Sequence, residues 1–131
     1  MATWDYHNFD NDAAADLAEE FRSNPNEALL YEVLATAAEA EEELDEEEAS
    51  QALAAAEIVA AIQGHPTPDF LPGLTLAVNG MEADEDLAEL AQEAVEAVLN
   101  SSALQVRWAE SAEYGNWQQL QQDLLARLTA E

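Results

Sequence analysis

The chain has 131 residues, 29 of them aspartate or glutamate against three arginines and no lysine, which leaves a formal charge of -26. Such a surface repels nucleic acid and anionic membrane and attracts basic surfaces. The lack of cysteine excludes disulfides, thiolate zinc sites, iron–sulfur clusters and cysteine nucleophiles.

Hydrophobic residues make up 49% of the chain, and many are alanine, so the composition is that of a folded helical domain and not of a disordered acidic tail. The length suits one domain over residues 1–131. No apolar run approaches the ~20 residues of a membrane span. The stretch from Met1 to Asp12 is acidic and aromatic and lacks a basic n-region, so a soluble, cytoplasmic setting is expected.

Asp10 or Asn11 is placed to cap a first helix over about Asp12 to Ser23, with Phe9, Ala13, Leu17 and Phe21 on its inner face. The run Asn24-Pro25-Asn26-Glu27 predicts a restart, with Asn24 as N-cap and Pro25 as the first helical residue. A second helix then turns Leu29, Leu30, Val33, Leu34 and Ala37 inward. Eight of the ten residues from Glu39 to Glu48 are carboxylates. Like charges one turn apart destabilise a helix, which predicts a break near Leu44 and Asp45. The third helix runs from about Glu46 to Gln63 and ends at Gly64 with Pro66 shortly after. Its stretch from Ala52 to Ile62 is apolar all round except for Glu57, the pattern of a helix buried at the centre of a bundle.

Gly64 to Met81 reads as an ordered loop whose apolar side chains pack down, since three prolines and three glycines alternate there with Phe70, Leu71, Leu74, Leu76 and Val78. A fourth helix starts near Asp84 and carries Leu87, Leu90, Ala91, Ala94, Val95 and Val98 on one stripe. Asn100-Ser101-Ser102 is a turn and cap cluster before a short helix presenting Leu104 and Trp108. Gly115-Asn116 ends and restarts the chain, and the last helix buries Trp117, Leu120, Leu124 and Leu128. The expected fold is all-α: a bundle of five or six short helices around the alanine-rich third, with a non-helical N-terminal segment and one long Pro/Gly loop.

Several of these stretches resemble a bacterial family, the domain of unknown function 4259 family. Met1-Ala2-Thr3-Trp4, then Phe9-Asp10-Asn11-Asp12 and Ala14, is similar to its Met-Gly-x-Trp-Gly and Phe-Asp-Asn-Asp-x-Ala opening. The run from Ala54 to Ile62 with Gly64, the Ser101-Ser102-x-Leu104 turn, Trp108, Trp117 and Leu124-Leu125-x-Arg127-Leu128 also resemble that family, in order over nearly the whole chain. Ala2 and Asp5 stand where its early glycines do, and Ala103 where a glutamate usually follows the serine pair, which argues against an acid role at that spot. The resemblance implies identity without a mechanism.

Glu57 is the sharpest single residue, because a buried carboxylate costs several kcal/mol unless it is paired. Its candidate partners are Arg127, Arg107, the indole N–H of Trp4 or Trp108, and backbone N–H groups of the N-terminal segment. One reading is a structural clasp of Glu57, Trp4, Asp10, Asp12 and Arg127 that pins the N-terminus onto the bundle. The others are an acid/base residue and plain exposure at a helix edge. His7, Asp10 and Asp12, with His65 distant, could suggest a metal site, but the calcium-loop spacing is missing and the two aspartates suit helix capping. No metal or cofactor is expected. Ser101 and Ser102 suit caps better than nucleophiles, and the tryptophans suit the core, although an exposed Trp108 or Trp117 could anchor a partner.

The acidic run Glu39, Glu41, Glu42, Glu43, Asp45, Glu46, Glu47 and Glu48 is either a solvated coat or a partner-binding patch. In a continuous helix these carboxylates would place a charge every ~2 Å, near the ~1.7 Å of duplex DNA, the density a nucleic-acid mimic needs. The expected function is therefore a non-enzymatic binding protein for a basic protein partner, such as an inhibitor or immunity-like protein, with no direct nucleic-acid or membrane contact. The alternatives are a small hydrolase or metal-dependent enzyme centred on His7, Asp10, Asp12 and Glu57, and a salt-adapted housekeeping protein.

Overall fold

The computed structural model describes residues 12–24, 26–40, 43–64, 78, 81–82, 85–100, 102–112 and 114–129. Among them are six helices: α1 (Asp12–Ser23), α2 (Glu27–Ala38), α3 (Glu46–Ile62), α4 (Glu85–Asn100), α5 (Ala103–Ala109) and α6 (Tyr114–Thr129). The described residues hold no strand, only an isolated parallel bridge between Leu44 and Ser102.

α3 is the centre because it has no polar face to turn outward. Every residue from Ala49 to Ala60 except Gln51 is buried, and α1, α2, α4, α5 and α6 all pack against it. Its alanines let neighbouring backbones come close, and the bulk comes from the partners: Phe21 and Leu17 of α1, Leu30 and Leu34 of α2, Leu87 of α4, and Trp117, Leu124 and Leu128 of α6. Each such large side chain contributes about 1.5–3 kcal/mol of burial. α4 turns the expected stripe inward, with Leu90 only partly buried. In α6 the inner face takes Gln121 in place of the expected Leu120, which is half-buried.

Local chemistry sets the helix ends. α2 is capped by Asn26 and not by Asn24: the Asn26 side chain accepts from the Ala28 N–H at 2.8 Å. The Asn24 N–H instead donates back to the Glu20 and Phe21 carbonyls at 3.2 Å, so this residue closes α1. α3 opens on a capping box. The Asp45 side chain accepts from the Glu48 N–H at 2.7 Å, and the Glu48 side chain accepts from the Asp45 N–H at 3.5 Å. It closes on Gly64, whose φ of 91° is the left-handed geometry expected there. Ser102 caps α5, accepting from the Gln105 N–H at 3.0 Å while donating to the Val98 carbonyl at 2.7 Å. Gly115 and Asn116 fall inside the first turn of α6 and not before it, because the helix already starts at Tyr114.

The expected loop falls mostly outside the described residues. Of its apolar side chains, Val78 is buried and Met81 partly so, and the Met81 N–H donates to the Val78 carbonyl at 3.0 Å. No helix among the described residues is long and apolar enough to cross a membrane.

Candidate functional site

Glu57 lies in the second half of α3 with 1% of its side chain exposed. It meets Arg127 of α6 through a two-pronged ion pair: one guanidinium N–H group donates to Oε1 at 2.8 Å and the other to Oε2 at 3.2 Å. The remaining Nε–H of Arg127 donates to Asp123, one turn earlier, at 3.1 Å. Burial disfavours the Arg127 charge, but the hydrogen bonds and field of Glu57, followed by those of Asp123, outweigh it and raise its pKa above the ordinary arginine value. The fork geometry explains why arginine serves here: a planar guanidinium satisfies both carboxylate oxygens at once.

Of the partners expected for Glu57, the structure brings Arg127 to it. Arg107 goes elsewhere, its guanidinium donating to Glu46 at 3.0 Å. Trp108 is half-buried against the core. The clasp seen here joins α3 to α6, two helices of the bundle. Trp4, Asp10, His7 and His65 lie outside the described residues, and Asp12 starts α1. No group of three or more acidic or histidine side chains among the described residues is placed to hold a metal ion. Trp117 is 1% exposed and stacked on Tyr114 at 6.1 Å between ring centres, which makes it core and not an anchor for a partner.

The acidic run is not one helix. α2 ends at Ala38, and α3 begins at Glu46. Between them Leu44 is buried at 2% exposure, and its carbonyl accepts the Ala103 N–H at 2.7 Å. This short bond ties the junction to the first residue of α5. Half of the described patch is engaged locally, since Asp45 and Glu48 form the capping box and Glu46 holds Arg107. Glu39, Glu43 and Glu47 are exposed, and Glu41 and Glu42 lie outside the described residues. The helical charge spacing thus applies only from Glu46 onward.

All three arginines are committed to acids, since Arg22 also pairs with Glu19 one turn before it. Asp123 was detectable in the sequence as an i, i+4 partner of Arg127. The Glu46–Arg107 pair joins residues 61 apart in sequence, and no local pattern announces it.

A family model described as a domain of unknown function, DUF4259, matches residues 2–120. No curated protein and no solved structure matches the chain. The chain belongs to the DUF4259 family.

Proposed function

We propose that this member of a family of unknown function is a non-enzymatic acidic binding protein that engages a basic protein partner, in the manner of an inhibitor or immunity protein. The observation that carries the reading is the α2–α3 junction. Its exposed carboxylates, Glu39, Glu43 and Glu47, lie on either side of the buried Leu44, whose carbonyl accepts the Ala103 N–H at 2.7 Å. An acidic segment anchored at Leu44 loses less conformational freedom on binding than an unanchored one, so more of the charge attraction is available for affinity. With only three arginines against 29 acidic residues, the chain cannot neutralise itself, and a basic surface is the complement it lacks. A compact cytoplasmic helical domain of this kind works by occupying a site on its partner.

The test is capture on the immobilised chain at low and at moderate salt, followed by identification of what is held. A basic protein that is released by moderate salt and is not held by a Glu39→Gln, Glu43→Gln, Glu47→Gln triple variant supports the reading. Capture of acidic proteins, or equal capture by the variant, counts against it.

A further inference from the structure

We propose that a groove between α1 and α2 receives an arginine side chain of the basic protein partner. The groove follows from the packing. Both helices lie on α3 but scarcely touch each other. The space left between them, about 300 Å³, is lined by Glu20 of α1, by Leu29, Glu32, Val33 and Thr36 of α2, and by Glu48 and Gln51 of α3. Leu29, Val33 and Thr36 recur on one face of α2 and set two aliphatic side chains and a threonine methyl into a groove that is otherwise polar. The Thr36 hydroxyl already donates to the Glu32 carbonyl at 2.8 Å. Three helices each bring one carboxylate, and no lining residue is cationic.

This combination selects the occupant. An aliphatic strip of Leu29 and Val33 beside carboxylates from different helices suits a long side chain with an aliphatic stem and a cationic head. The volume sits at the bottom of the roughly 300–1,000 Å³ range of ligand pockets, which fits one side chain better than a larger molecule. Arginine suits it better than lysine. Its planar fork can bond carboxylates on two helices at once, and it gives up its weaker hydration more readily. Glu48 belongs both to the groove and to the acidic run, so the same partner surface can cover both. The inference rests on the proposed role as a receptor for a basic protein.

The direct probe is N-acetyl-arginine methylamide, titrated at physiological ionic strength into protein carrying ¹³C-labelled Leu, Val and Thr methyl groups. The expected result is a saturable shift of the Leu29, Val33 and Thr36 signals. Glu32→Gln, a change at an exposed position, should weaken the binding about tenfold by removing one charge-assisted hydrogen bond. Glu47→Gln, outside the groove, should leave it unchanged. Absence of saturation at these methyls, or equal binding of N-acetyl-norleucine methylamide, would overturn the inference. So would a captured basic partner that binds Glu32→Gln as tightly as the parent, and that result leaves the proposed function standing. The broader reading fails separately, with no salt-sensitive basic partner captured at all, and its failure overturns both.

Discussion

Replacing Glu57 by alanine removes the carboxylate that faces two prongs of the Arg127 guanidinium. Breaking a buried ion pair by removing one partner costs about 3–5 kcal/mol. Arg127 keeps 14% exposure and a second acid, Asp123, which is 58% exposed, so Glu57→Ala belongs at the low end, about 3 kcal/mol. Arg127→Met removes the cation facing a carboxylate that is 1% exposed, and should cost more, about 4 kcal/mol. Because each change removes the same interaction, the double variant should lose less than the sum by at least about 1 kcal/mol. Urea unfolding of the four proteins, with the slopes compared to confirm two-state behaviour, measures this. The pH dependence has a definite sign. A folded pKa raised above the unfolded value contributes stability that is complete below the unfolded value and is lost as pH climbs through the folded one. For an arginine both values lie far above the physiological range, so the Arg127 charge itself should add no pH dependence to the stability of the parent between about pH 7 and pH 10. A loss below about 0.5 kcal/mol for Glu57→Ala, or additive single changes, would refute the reasoning.

Gly64→Ala should cost about 1–2 kcal/mol, because the left-handed φ of 91° strains any Cβ although no atom lies within 4 Å of it. Gly64→Asn should recover part of that, and a neutral Gly64→Ala in urea unfolding would contradict the assigned helix end. Ser102→Ala removes both the α5 cap and the bond to Val98, so a loss of about 1–2 kcal/mol is expected, while less than about 0.3 kcal/mol would show the cap is dispensable. The melting temperature should climb from low to physiological ionic strength, because a net charge of -26 repels itself and the few arginines are already paired. A flat or falling curve would mean the carboxylates are compensated within the fold.

The helices were legible in the sequence because each carries its period and its punctuation. The apolar run around Glu57 announced a central helix, and Gly64 announced where it ends. The start of α2 was misplaced by two residues because Asn24 and Asn26 are both good caps, and only the Asn24 bonds back to α1 decide between them. Gly115-Asn116 looked like a boundary, yet Tyr114 already leads the helix, its hydroxyl accepting from Gln105 and Gln118 and its ring stacking on Trp117. Glu57 could be singled out from its neighbours, but three kinds of partner stayed open: an arginine, an indole N–H and backbone N–H groups. Choosing among them requires knowing that α6 crosses α3 at that turn. The groove was invisible for the same reason: Glu20, Glu32 and Glu48 come from three helices, and their proximity is a property of packing.

The central claim is that the exposed carboxylates on either side of the buried Leu44 bind a basic protein. It is tested most directly by measuring the affinity of the captured partner across a range of salt concentrations, for the parent chain and for the Glu39→Gln, Glu43→Gln, Glu47→Gln variant. The account predicts that affinity falls steeply with salt for the parent, and that the variant binds more weakly with a shallower slope. The same affinity and the same slope for both proteins would contradict it.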